Sequence, residues 1–344
     1  MNQEGSKSVA DINRLIEEIN EAAQNGSVDL YARLSRKLPN TEPFNQVRAA
    51  IDHNLSLYKA SALGYRTTTD GRIIYSMKNE ELIAEALISK LNSRSNFIID
   101  IGASDGLDWS NSYTLYKSGF NGISIEGNKA KASALISNYA NLDGKISVVN
   151  AFVKPKVINQ LLGGLDTPLS PDFVSVDIDS FEYDLIETML LCYRPKIICV
   201  EINERLPPPI HYILRYSDNL PQRDMTLISS ASISAWSKLF QAHNYKLFRL
   251  EYNNLFAIDS QLNEFRPFAY RTTKAVYDDF QALRDREVLF PWNSKIFESS
   301  LQEEGLNNFT ELDNAKILEV FSSFLKKMNI EAAATELSLD YQQI

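Results

Sequence analysis

The chain has 344 residues, 44% apolar and 23% charged, with a formal net charge of −9 and a pI near 5.1. That length suits one large domain with appendages or two modest ones, and the acidic balance disfavours nucleic acid, whose phosphates it repels. No apolar run reaches the roughly 18 residues a membrane span needs, and two cysteines, Cys192 and Cys199, are too few for a disulfide framework or a zinc site.

The polar start from Met1 to Asn13 lacks the apolar core of a secretory signal. The expected setting is therefore the cytoplasm, with both thiols reduced, buried and inert. Residues 9–25 read as an amphipathic helix, with Ile12, Leu15, Ile16 and Ile19 on one face and Gly26 as the stop. A second helical stretch carries Val28, Tyr31, Leu34 and Leu38 until Pro39 and Pro43 break it, and 44–60 is helical again. Residues 1–60 thus form an N-terminal helical extension, a candidate contact for a homo-oligomer.

Residues 61–262 read as the central domain. Asn79-Glu80-Glu81 opens a helix, and Phe97–Ile101 is a short apolar run ending at glycine, the mark of a buried strand. Helix and strand then alternate: a helix at 110–118, a strand at 122–126, a helix at 129–139, and strands at 146–150, 173–177 and 196–201, with a helix at 181–193 before the last. Such alternation implies a parallel sheet with crossover helices. After a helix at 233–243, strands at 245–250 and 255–258 are separated only by Glu251–Asn254, so they form an antiparallel hairpin. The fold class is α/β: a doubly wound, Rossmann-like sheet whose last strand is antiparallel, with helical extensions at both ends. Residues 263–344 read as helix, with Ile317, Leu318, Phe321, Phe324, Leu325 and Met328 on one face; the aromatic stretch 263–300 is a candidate cover for the site.

The segment Asp100-Ile101-Gly102-Ala103-Ser104-Asp105-Gly106 leaves the first strand of this sheet. Ligands of open α/β sheets bind outside the carboxyl ends of the strands. Gly102 permits a tight turn and close approach; Gly106 permits close packing beyond it. A dinucleotide loop wants G-x-G-x-x-G for a pyrophosphate, but Ser104 holds the middle position, and Asp100 and Asp105 oppose a polyanion. They suit S-adenosylmethionine (SAM), whose amino group and sulfonium are cationic. Glu126 ends the next strand 20 residues after Gly106, where a carboxylate accepts hydrogen bonds from ribose hydroxyls. Asn150-Ala151-Phe152 ends the third strand and could read and stack on adenine.

These segments, DIGASDG (100–106), SIEGN (124–128), NAFV (150–153), SVDIDSFEYDLIE (175–187), PKIICVEIN (195–203) and NNLFAID (253–259), resemble the FkbM-like branch of class I SAM-dependent methyltransferases. The resemblance spans about residues 75–260. It implies a seven-stranded sheet with an antiparallel last strand and O-methylation of a sugar or other hydroxyl-bearing small molecule. Where the family reads D-x-E-G, this chain has Asp177-Ile178-Asp179-Ser180.

Asp177 and Asp179 at the fourth strand tip, with Glu201 and Asn203 at the fifth, are candidate catalytic residues. A carboxylate could take the acceptor's proton; alternatively Asp177, Asp179 and Glu201 could hold Mg²⁺. Asp179 could instead cap the next helix, with Glu182 completing a capping box. His211, in a proline-stiffened loop, is a further candidate base. Arg205 and Arg215 could meet an acidic group, while His53 and His243 read as structural. The competing readings are an amine or carboxylate acceptor, a SAM-binding or silent interaction protein, and an NAD-dependent oxidoreductase, which the acidic loop disfavours.

Overall fold

A computed structural model of the chain describes residues 71–218, 228–268, 270–283, 313–327 and 334–340, together with Arg14, Glu18 and residues 66–68. The chain forms two compact units, Met1–Tyr75 and Ser76–Ile344. In the first unit Arg14 and Glu18 are helical and pair at 3.5 Å across one turn. There β1 (Arg66–Thr67) pairs antiparallel with β2 (Ile73–Ile74). The rest of the helical extension expected over 1–60, His53 included, lies outside the described residues.

The second unit runs α1 (Glu80–Ser89), β3 (Phe97–Ile101), α2 (Tyr113–Lys117), β4 (Asn121–Glu126), α3 (Lys129–Tyr139), β5 (Ile146–Asn150), α4 (Pro155–Gly164), β6 (Phe173–Val176), α5 (Glu182–Met189) and β7 (Ile197–Glu201). It continues through β8 (Ile210–Leu214), α6 (Ile233–Ala242), β9 (Tyr245–Glu251), β10 (Asn254–Asp259), a 3₁₀ turn (Asn263–Phe265), α7 (Thr273–Leu283), α8 (Asn314–Lys327) and β11 (Thr335–Leu339).

Seven strands form one sheet in the order β5-β4-β3-β6-β7-β10-β9. The first five run parallel, and β10 runs antiparallel to both its neighbours. This is the expected doubly wound sheet, with the antiparallel strand placed inside its hairpin partner β9 rather than at the edge. Strand order reverses on either side of β3, which opens a crevice at the carboxyl ends of β3 and β6. The central strands are apolar on both faces because helices cover both. Ile99, Ile101, Val174, Val176, Ile198 and Val200 pack on one side with α4, α5 and α6. Ile98, Phe173, Ile197 and Cys199 pack on the other with α1, α2 and α3. At the opposite end Asp172 fixes the sheet: it accepts the N–H groups of Ser95 and Asn96 and pairs with Lys196 at 2.6 Å.

Three elements depart from the sequence reading. Helix α4 starts at Pro155, where proline's missing N–H costs nothing, yet carries too few periodic residues to stand out. Residues 210–214, read as loop, form β8, and 335–339, read as helix, form β11 paired antiparallel to it. Arg215 locks this small sheet to α5, donating to Asp184 and Glu187, and reaches Glu336 at 2.8 Å. Cys199 is buried as expected, but Cys192 is exposed. Helix α7 packs along β9, and none of the described residues after Asn254 lines the crevice. Phe290, Pro291, Trp292 and Met328, and the side chains of Ile317 and Phe324, lie outside what is described; Phe321 and Leu325 are buried.

Arg215→Ala removes hydrogen bonds to charged partners and should destabilise the protein by roughly 1–3 kcal/mol. Chemical denaturation reads the loss; an unchanged midpoint would show that the lock is idle.

Candidate active site

The carboxyl ends of the strands surround a cavity of about 920 Å³. Its floor is set by a backbone approach. Gly102 has φ +87°, and a Cβ there would stand 1.6 Å from the carbonyl oxygen of Asp177. No other residue fits, so the turn after β3 lies directly against the tip of β6. The N–H groups of Gly102 and Ala103 both donate to Ile125 O, and Ser104, at φ +51°, donates its N–H to Glu126 Oε2 at 2.9 Å.

Glu126 is buried at the end of β4. Its Oε1 accepts the Asn128 N–H at 2.6 Å, so backbone donors hold both oxygens. Each carboxylate oxygen has two acceptor sites, and one per oxygen is left to face the cavity. Asp100 lies beneath, accepting the Ser112 hydroxyl. Burial raises it to about 6, Ser112 opposes the shift, and the nearby Glu126 charge adds to it.

At the tips of β6 and β7, Asp177, Asp179 and Glu201 bring carboxylate oxygens within 4.8 Å of one another. At an effective dielectric of about 20, two unit charges at that distance repel by about 3.5 kcal/mol, so the three do not all ionise at neutral pH. Burial, then Asp179 and Glu182, pushes Asp177 up to about 8. Glu201 is raised well above the ordinary range by burial and then by Asp177. One Glu201 oxygen accepts the Asn253 amide at 2.8 Å, and the carboxyl also hydrogen-bonds Asp177. Glu182, raised by burial to about 7, accepts the N–H groups of Ile178 and Ser180 and so shapes the turn that carries Asp179.

Several expected site residues stand elsewhere. His211 is not in the cavity: it lies buried on β8, opposite Ser338 of β11, with Nε2 3.9 Å from Glu336. A strand where a loop was expected turned it away. Asp179 is not the helix cap. Phe181 holds that position without a side-chain bond, and Glu182 serves the preceding turn instead. Asp105 accepts the N–H groups of Leu107 and Asp108, so its carboxylate stabilises its own loop and does not line the cavity. Gly106 packs against Leu135 and Tyr139, as expected of it. Asn150 donates to the carbonyls of Glu126 and Gly127 and lies outside the lining, whereas Ala151 and Phe152 line it. Arg205 lines the cavity, with Glu204 3.9 Å away, and Arg215 does not. Three residues escaped the sequence reading. Asn253 supports Glu201, Asn111 ties the turn after β3 to β6 and β10, and Trp109 stands at the cavity wall. A lone tryptophan in a polar stretch just past the glycine turn was the available signal.

No family model and no curated protein matches the chain. Among solved structures it is similar to an O-methyltransferase from Bacillus cereus in complex with SAH, at 15% identity, covering 70% of this chain and 98% of that one, with a TM-score of 0.37. It is also similar to the precorrin-6y C5,15-methyltransferase from Geobacter metallireducens, at 16% identity over 57% and 92% of the two chains, with a TM-score of 0.32. A third is CalS10, an amino pentose methyltransferase from Micromonospora echinaspora, at 11% identity over 59% and 96%, with a TM-score of 0.35. Likeness at this level is silent on activity. Among the described residues no helix is long and apolar enough to cross a membrane.

Asp177 is raised on folding from 3.8 to about 8, so the folded protein keeps a proton that the unfolded chain has lost. Its contribution favours folding most below the lower value and is lost as pH climbs to the upper one. Asp177→Asn should flatten that fall in thermal melts taken across the same range. Parallel profiles for the two proteins would contradict the crowding of charge described here.

Proposed function

We propose that this chain is a SAM-dependent methyltransferase of the FkbM-like kind, acting on a hydroxyl of a sugar or glycan-type acceptor. The observation that carries the reading is the concentration of carboxylates on one cavity. Among the described residues eight carboxylates line it, Asp100, Glu126, Asp177, Asp179 and Glu201 among them, against three cations, Lys131, Lys154 and Arg205, and burial with mutual repulsion raises Asp100 and Glu201. A cationic ligand relieves that repulsion, whereas a pyrophosphate would add to it.

The residues present fit SAM. Glu126 keeps one acceptor site per oxygen for the ribose hydroxyls, and Asp177, Asp179 and Glu201 gather carboxylate oxygens where positive charge is wanted. When bound, SAM supplies a methyl group activated by its sulfonium. Phe152, largely exposed beside Gly127, offers a face for the adenine; Asn150, its amide already engaged, braces the turn below. With SAM bound, Asp177 would take the proton of the acceptor hydroxyl as the methyl group passes from sulfur to oxygen. A base near 8 is well placed for this at neutral to mildly alkaline pH. His211 has no part in the step.

A second reading adds a metal. Asp177, Asp179 and Glu201 are the one group among the described residues with the spacing to hold a cation. Mg²⁺ there would lower the acceptor hydroxyl's pKa.

Labelled SAM offered with nucleotide sugars and glycans should yield a methylated product, and its absence across hydroxyl, amine and carboxylate acceptors would favour a non-catalytic binding protein. Turnover should rise with pH through about 8 as Asp177 loses its proton. Asp177→Asn should lower kcat by roughly 10²–10⁴-fold. Chelation that stops turnover, with recovery on adding Mg²⁺, would assign the metal; indifference to chelators would leave Asp177 acting without one.

A further inference from the structure

Eight described non-glycine residues take a left-handed backbone, and four of them line the cavity: Ser104, Trp109, Asp179 and Tyr252. Trp109 and Tyr252 are the bulky ones, and Trp109 is the more exposed. A bulky residue at φ +58° is uncommon, and the indole is 65% exposed. Among the described residues it makes no hydrogen bond or ring contact.

Nothing loose about the loop explains this. On one side Asp105 accepts the N–H groups of Leu107 and Asp108, each at 2.9 Å. On the other, the buried Asn111 amide reaches Ser175 Oγ at 3.3 Å and Asn254 Oδ1 at 3.4 Å. Those partners belong to β6 and β10. The loop therefore crosses from β3 toward the half of the cavity that holds Asp177 and Glu201, away from Glu126 at the end of β4 and Phe152 just past β5. Strain and exposure, imposed together by a pinned loop at a cavity wall, are features that sites retain for a ligand.

The geometry points to Trp109 as the platform for the acceptor: an uncharged ring with a flat apolar face lies on the indole and turns its hydroxyl toward Asp177. This rests on the methyltransferase reading of the same cavity. An indole face suits the C–H face of a saturated sugar ring or the plane of an aromatic ring, and it gives little grip on a flexible open-chain alcohol. Carboxylates beside it disfavour an acidic ring. Trp109 is thus a specificity residue, and the proton transfer belongs to Asp177.

The test is saturation-transfer NMR on the full chain with S-adenosylhomocysteine present, using methyl α-glucopyranoside, catechol and glycerol as probes. One of the two ring probes should receive saturation, strongest on its ring-face protons, and glycerol should not. Trp109→Ala should weaken that ring's binding by about tenfold, while Trp109→Phe keeps most of it. Transfer to the sugar assigns a saturated acceptor, and transfer to catechol an aromatic one. Equal transfer in wild type and Trp109→Ala, glycerol matching the rings, or no transfer to either ring would overturn the proposal. S-adenosylhomocysteine affinity, measured separately by calorimetry, should be unchanged in Trp109→Ala; failure of wild type to bind it would instead remove the methyltransferase reading.

Discussion

The tip of β3 touches the tip of β6 through a residue that has no side chain. With only a hydrogen at position 102, the turn after β3 rests on the Asp177 carbonyl, where a Cβ would overlap it at 1.6 Å. Everything else in the cavity follows from that contact. It brings the Ser104 N–H to Glu126, which fixes the carboxylate at the end of β4. It holds Asp177 at the switch point of the sheet, within reach of Glu201 on the next strand. A parallel sheet supplies these neighbours at no extra cost, because adjacent strands end side by side.

Charge then gives the cavity its character. Among the described residues eight carboxylates line it against three cations, Lys131, Lys154 and Arg205, and backbone N–H groups hold Glu126 there and Glu182 beneath the turn that carries Asp179. Burial and mutual repulsion raise both Asp177 and Glu201 above the ordinary carboxylate range. Such a site is at once a proton store and a trap for cations. This joint character runs from the side of the cavity around Glu126 and Asp100 to the side around Asp177 and Trp109. A silent scaffold has no need to crowd acids whose repulsion works against folding.

The sheet was legible because each central strand is a short, mostly apolar run that ends at a glycine or an acid, as at Ile101-Gly102, Ile125-Glu126 and Val200-Glu201. The hairpin of β9 and β10 was legible because its turn is too short for a crossover. β8 was not legible: its partner Leu339 lies far along the chain from Ile210, and three prolines before it signal a loop. His211 was misplaced for the same reason. Asp105 and Asn150 were misread at a finer level. Residues of the right type in the right motif spend their hydrogen bonds on the local backbone, which pattern alone does not reveal. The acidic triad, by contrast, followed directly from strand adjacency.

The central claim is that this cavity takes a cationic nucleoside donor. Calorimetric titration of the protein with SAM, S-adenosylhomocysteine and NAD measures it most directly, with Glu126→Ala alongside. The account predicts saturable binding of both adenosyl compounds, lost or much weakened in Glu126→Ala, and no heat from NAD. Binding of NAD in their place, or adenosyl affinity indifferent to Glu126, would contradict it.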